Sequence, residues 1–178
     1  MAFPVTHILV PMFIIETYRR YCTKYCTKKN FSKWWVFLAG FLGCLPDFDI
    51  LLGWMLNGYM YTGYHRQATH SMIIPILTLI TGLILYVLYS RGIVQNKGFR
   101  TSYILMFLTT IAFTSHIFLD LICGFQQWFY PLDWRIELPN LLRTKYRAAM
   151  LDGILLFIWI LYDEKFLNDI LQSLKLKK

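Results

Sequence analysis

Charge is scarce in this sequence. Lys, Arg, Asp and Glu make up 16% of its 178 residues, against about 25% in an average soluble domain. Apolar side chains fill the gap. They reach 57%, where about 45–50% is ordinary, which is more than a soluble core of this size needs, so lipid is the expected sink. A basic-aromatic recognition motif is also missing. The formal net charge of +8 would favour nucleic acid in a soluble chain. Here the cations sit in short runs between apolar segments, as membrane flanks do, and no nucleic-acid partner is expected. Met1 to Val10 lacks the positive start of a secretory signal, so the first apolar segment should remain on the mature protein. The four cysteines, Cys22, Cys26, Cys44 and Cys123, form no legible disulfide framework. Cys22 and Cys26 read as two thiols at a membrane edge, although such a pair can bind metal or carry acyl chains; Cys44 and Cys123 read as small core residues. There is no repeat, low-complexity stretch, separate soluble domain or serine nucleophile elbow. One domain over residues 1–178 is expected.

What the chain does have is long apolar runs. Met72–Tyr89 holds no charge, and Thr101–Leu119 holds none apart from His116. Each approaches the ~20 residues that a bilayer core demands. Ala148–Tyr162 is shorter, with Asp152 as its one charge. Phe31–Gly58 is long enough to cross but is interrupted by Leu45-Pro46-Asp47-Phe48-Asp49, where proline removes a backbone donor and invites a break. Phe3–Tyr18 is short and carries Pro4 and Pro11, so it crosses thinly or lies partly in the interface. The predicted fold is an all-α, polytopic integral membrane bundle of four to five helices, with helix two broken at Leu45-Pro46-Asp47.

The cations give an orientation. With five crossings, thirteen of the eighteen Lys and Arg fall on the face holding Arg19–Lys33, Ser90–Arg100 and the C-terminal tail. The positive-inside rule makes that face, and the C-terminus, cytoplasmic. If helix two is instead re-entrant, the count becomes eleven against seven and the orientation reverses. We favour five crossings.

Ionisable groups inside a membrane are costly and default to function. Here they are His7, Asp47, Asp49, His65, His70, His116, Asp120 and Asp152. At ~1.5 Å rise per residue, Asp47 lies roughly 20 Å and His116 roughly 22 Å from the basic face, and the others converge toward the same leaflet, the outer one. His116 and Asp120 are spaced i, i+4 and share one side of a helix. Asp47-x-Asp49 sits at the helix break, where unwound backbone lets two carboxylates face one centre. His65-Arg66-Gln67-Ala68-Thr69-His70-Ser71 leads into helix three, with Thr69 or Ser71 as its cap. Singly, each has a plainer reading: a structural hydrogen bond, a turn, a solvated loop histidine. Together they take in all four histidines of the chain.

In this order, Thr6-His7, then Leu45-Pro46-Asp47-Phe48-Asp49, then His65-Arg66-Gln67-Ala68-Thr69-His70-Ser71, then His116-x3-Asp120 and a loop with Pro131, the sequence resembles the LexA-binding, inner-membrane-associated, metal-dependent hydrolase (YdjM-like) family. Gln67 stands where that pattern often has glycine. The resemblance implies a membrane-bound metal-dependent hydrolase, with a more distant likeness to zinc-dependent phospholipase C.

His and carboxylate ligands suit Zn, with Mn as the alternative. The set His7, Asp47, Asp49, His65, His70, His116 and Asp120 is larger than one four-coordinate ion needs, so two ions are expected. Arg66 would pair with a phosphate oxygen, and Asp49 or Asp152 would move the proton. The expected substrate is a phosphoester of a membrane lipid or lipid-linked molecule. Two other classes stay open: a non-catalytic, metal-stabilised membrane scaffold or regulator, whose site would be closed, and a transporter, which would need access from both faces.

Overall fold

A computed structural model describes residues 4–25, 31–57, 68–122, 125–132, 134–137 and 145–162. Among these residues six α-helices follow in order: α1 (Pro4–Tyr25), α2 (Lys33–Cys44), α3 (Phe48–Asn57), α4 (Ile73–Ser90), α5 (Lys97–Ile122) and α6 (Lys145–Tyr162). Lys33–Leu56, Ile73–Ser90 and Lys97–Ile122 are each long and apolar enough to cross a membrane, while the apolar part of α6, Ala149–Tyr162, is shorter.

Local chemistry sets the boundaries. Ser32 caps α2 by accepting the Trp34 N–H at 3.2 Å. Asn96 caps α5 through its side chain to the Phe99 N–H at 2.8 Å, which starts that helix four residues before the apolar run begins. The α4 helix ends in a Schellman motif: Gly92 has φ +74°, its N–H reaches the Tyr89 carbonyl, and the Ile93 N–H reaches that of Leu88. Between α2 and α3 the chain tightens into a 3-10 turn over Leu45–Asp47. Pro46 has no N–H to give to the Leu42 carbonyl, and the Leu45 N–H takes that acceptor instead. The helix-two break thus falls on the expected residues.

The core lies where α1, α2 and α5 meet, around Leu9, Met12, Ile15, Val36, Ala39 and Leu108. These residues recur at helical spacing, three or four apart. On α5 the buried stripe runs Leu108, Ala112, His116, Asp120, so an apolar seam becomes polar without leaving its face. The α4 helix packs on α5 through Thr78 and Thr110, whose hydroxyls are 2.9 Å apart. The α6 helix packs on α1: Phe13 meets Trp159 edge-on at 5.1 Å, and Arg20 donates to the Tyr162 carbonyl. These contacts, with Gly43 against His7 and His116, make α1, α4 and α6 run one way and α2 and α5 the other. His7, Gly43, His70, His116 and Asp152 therefore share one level, and Arg19, Arg20, Lys33, Arg91 and Arg100 lie toward the opposite end.

Two findings depart from the sequence reading. A two-stranded antiparallel hairpin, β1 (Phe125–Gln127) with β2 (Arg135–Glu137), interrupts the expected all-α fold, with Gln126 opposite Ile136. Three-residue strands are too short to print an alternation on the sequence. The hairpin turn braces the start of α4, since the Trp128 carbonyl accepts the Met72 N–H at 2.8 Å. Second, α1 runs to Tyr25, past the expected end at Tyr18. Glu16 ties the two arginines at the start of this extension back to α1. It is 4% exposed, yet it accepts from Arg19 at 2.6 and 2.7 Å and from Arg20 at 2.9 Å. Breaking a buried pair from one side costs about 3–5 kcal/mol. With both arginines partly exposed, Glu16→Ala is expected near the lower end, read as a fall of several degrees in the thermal midpoint in detergent. An unchanged midpoint would show that this triad does not hold α1.

Candidate metal centre

The break after α2, the turn before α4 and the last two turns of α5 bring Asp47, His70, His116 and Asp120 together, and the first turns of α1 add His7. His70 and His116 are fully buried, His7 is 1% exposed and Asp120 3%. Asp47 is the accessible member, its side chain about a third exposed at 34%.

Hydrogen bonding fixes the direction of two imidazoles. His116 Nδ1 lies 2.7 Å from the Gly43 carbonyl oxygen, which can only accept, so Nδ1 carries the proton and Nε2 is left with its lone pair. Thr69 donates its one hydroxyl proton to Asp49 at 2.7 Å. Its oxygen is then an acceptor for His70 Nδ1 at 2.9 Å, and the proton of His70 sits there too. The two Nε2 atoms face each other 3.1 Å apart. As neutral imidazoles both rings present a lone pair here, and one shared cation, a proton or a metal ion, satisfies the pair.

Carboxylate oxygens complete the set. Asp47 Oδ1 is 3.4 Å from His70 Nε2 and 3.5 Å from His116 Nε2. Asp120 Oδ2 is 3.3 and 3.8 Å from the same two atoms. These separations exceed ordinary hydrogen bonds of about 2.7–3.2 Å. Three of the four match the roughly 3.3–3.6 Å between atoms that each lie 2.0–2.2 Å from one tetrahedral ion, and the fourth, His116 to Asp120, is longer at 3.8 Å. His7, Asp47 and His116 form one triad with ligand atoms within 4.8 Å of one another, and His70, His116 and Asp120 form a second. Since His116 has one free lone pair, the two triads offer alternative seats for that residue. His7 stacks on His116 at 3.9 Å, its Nε2 is 3.7 Å from Asp120 Oδ1, and its buried Nδ1 has no hydrogen-bond partner. The donor set therefore fits a divalent ion of the zinc or manganese kind.

Two expected site residues sit elsewhere. Asp49 stands behind His70, with Oδ2 at 3.8 Å from Nδ1, and holds it through Thr69. Asp152, on α6, accepts from the Thr6 backbone N–H at 2.8 Å and from its hydroxyl, so it fastens the first turn of α1 one residue before His7. His65 and Arg66 lie outside the described residues. Of the two expected caps of α4, Ser71 accepts the Ile73 N–H at 3.3 Å, whereas Thr69 serves His70.

The family model described as YdjM inner membrane protein matches residues 1–168. The chain belongs to that family. No curated protein and no solved structure matches it. Membership in the YdjM inner membrane protein family gives the apolar helices their environment: Lys33–Leu56, Ile73–Ser90 and Lys97–Ile122 are membrane helices.

Four residues carry roles that the sequence alone does not show. Gly43 supplies the carbonyl for His116 and the room for His7; a Cβ there would overlap the His7 carbonyl oxygen and stand 2.8 Å from Pro11 Cγ. Gly40, one turn earlier, faces the flexible Met12 side chain, whose Cγ and Sδ would lie 2.7 and 2.8 Å from a Cβ. Small residues three apart on an apolar helix are the signal that could have marked this contact. Thr69 reads in the sequence as a cap of α4. Glu16 lay inside a segment read as apolar.

Proposed function

We propose that this protein is a membrane-bound metal-dependent hydrolase acting on a phosphoester of a lipid or lipid-linked substrate. The carrying observation is the pair of buried Nε2 atoms of His70 and His116, 3.1 Å apart, flanked by Asp47 and Asp120. These four residues would hold the ion, zinc in the first instance and manganese as the alternative, with His7 as a further ligand and a second ion in reach of the larger set. When bound, the ion supplies Lewis acidity toward a phosphoryl or carbonyl oxygen.

The chain's own groups do the rest. Asp47, the exposed member, is placed to take a proton at the mouth of the centre. Asp49 and Thr69 keep His70 facing inward. Asp152 holds the turn that presents His7. Arg66 is the proposed partner of a substrate phosphate. A cavity of about 360 Å³ opens beside Asp47 and is otherwise lined by Ile50, Leu51 and Trp54. An apolar wall ending in a carboxylate suits a substrate with an acyl or isoprenoid chain better than a soluble one. The basic end of the bundle supports a cytoplasmic C-terminus and a centre toward the outer leaflet.

Near-complete burial of three imidazoles favours a second reading, a metal-stabilised scaffold or regulator without turnover. Metal content of detergent-purified protein, measured by plasma mass spectrometry beside His70→Ala and His116→Ala, tests both. One to two equivalents of zinc or manganese in the wild type, lost in both variants, together with release of phosphate or headgroup from a lipid phosphoester panel, is the expected result. Metal without turnover across that panel selects the scaffold. A folded, metal-free wild type, under conditions in which a control metalloprotein keeps its ion, removes both.

A further inference from the structure

A second cavity, of about 660 Å³, lies between α1 and the α4–α5 hairpin, toward the end of the bundle away from the metal centre. Leu83, Ile104, Phe107 and Ile111 give it apolar walls. Its lining changes character at one end, where Arg100 is joined by Tyr18, Tyr86 and Tyr103. Tyr86 and Tyr103 meet edge-on at 5.6 Å, and Tyr89 adds a third ring at 5.5 Å from Tyr103. Tyrosine clustered around a cation, above an apolar slot, is the side-chain order of a membrane interface.

The dimensions agree with a single acyl chain. Eleven residues separate Arg100 from Ile111 on α5, which is about 16 Å of helix at 1.5 Å per residue. Half of a ~30 Å hydrocarbon core is about 15 Å, the depth of one leaflet. The charge agrees as well. Arg19, Arg20, Lys33, Arg91, Lys97 and Arg100 lie at this end, and Glu16 is the carboxylate there among the described residues. Glu16 is already taken by Arg19 and Arg20. Arg100 is exposed and makes no ion pair among the described residues.

We propose that this groove binds one anionic phospholipid, with an acyl chain along Ile104 and Ile111 and the phosphate at Arg100. Arg100 supplies charge-assisted hydrogen bonds to the phosphate, and the tyrosine hydroxyls face the headgroup. Sixteen residues of α5 separate Arg100 from His116, so the lipid is a bound component of the fold at the other end of the bundle and not the substrate of the metal centre.

The test is native mass spectrometry of the full chain in detergent, titrated separately with phosphatidylglycerol and phosphatidylcholine, with the thermal midpoint recorded for every variant. One phosphatidylglycerol should be retained in preference to phosphatidylcholine. Arg100→Gln should weaken phosphatidylglycerol about fivefold, the equivalent of one interfacial cation, and erase the preference. Arg91→Gln, which changes a cation outside the groove, should leave both lipids unchanged. Ile104→Trp and Leu83→Trp fill the groove from α5 and from α4, and whichever of them retains the wild-type midpoint should lose both lipids. The proposal is overturned if the groove-filling variants bind as the wild type does. Equal effects of Arg91→Gln and Arg100→Gln, or a second copy of the chain retained in place of lipid, would overturn it too.

Discussion

Gly43→Leu is expected to dismantle the candidate metal centre and the α1–α2 contact together. Two candidate ligands depend on this one residue through different atoms. Its carbonyl accepts the Nδ1 proton of His116 at 2.7 Å and so leaves Nε2 facing inward. Its missing side chain lets the α1 backbone come in at His7, where a Cβ would overlap the carbonyl oxygen of that residue and crowd Pro11. Both obstacles are main chain or a ring close to it, so neither can swing aside. Over-packing of this kind costs about 1–3 kcal/mol. Gly43→Ala should fall within that range and Gly43→Leu at or beyond its top.

Separating α1 from α2 also moves His7 off its stacked position on His116, 3.9 Å away. Metal stoichiometry should therefore fall with the thermal midpoint, and the leucine variant should bind little or none. Gly153→Ala supplies the contrast. A Cβ at Gly153 meets nothing within 4 Å, and alanine in a helix interior gains about 0.5–1 kcal/mol over glycine. It should melt at or slightly above the wild-type midpoint with its metal intact. If Gly43→Leu melts and binds metal as the wild type does, the α1–α2 approach does not set the centre.

How far the site was legible in the sequence depended on the kind of interaction. Ionisable side chains in apolar helices stand out because burying them is costly, so His7, Asp47, His70, His116 and Asp120 could be picked out before any coordinates, and helix rise alone put them at one level. Pro46 announced the break for the same local reason, a missing backbone donor. What stayed hidden was relational. Nothing in the string Gly-Cys-Leu-Pro says that the Gly43 carbonyl will receive a proton from a histidine 73 residues later. Thr69 sits where a cap belongs, and only the fold shows Asp49 drawing its hydroxyl proton and turning the oxygen toward His70. Asp152 has the credentials of a catalytic acid on one helix, but a neighbouring helix presents Thr6 to it. The hairpin around Trp128 was illegible for want of length, and Glu16 because its two arginine partners follow it closely enough to resemble an ordinary membrane flank.

Thr69→Val should lower metal affinity by about 10–100-fold, the usual loss when the residue that orients a ligating histidine is removed. Valine keeps the branched shape and deletes the hydroxyl, so packing is nearly preserved. What disappears is the relay: the Nδ1 proton of His70 loses its acceptor at 2.9 Å, and Asp49 loses its donor at 2.7 Å. With Nδ1 no longer held as the donor, the proton of His70 can move to Nε2 and donate to His116 Nε2, 3.1 Å away. The facing lone pairs are then satisfied by a proton, and a metal ion must displace it to bind. Thr69→Ser retains the hydroxyl and should bind metal nearly as the wild type does, while Asp49→Asn, which leaves Thr69 in place but changes its partner, should fall between. The readout is metal affinity by competition titration, set beside the thermal midpoint of the metal-free protein. A merely structural role for Thr69 would lower the metal-free midpoint and leave affinity in proportion to the folded fraction. A positioning role leaves that midpoint near the wild-type value and shrinks only the stabilisation that added metal provides, which grows as the logarithm of ion concentration over its dissociation constant. Unchanged affinity in Thr69→Val would mean that the direction of His70 is set elsewhere, and the argument from opposed lone pairs would fall with it.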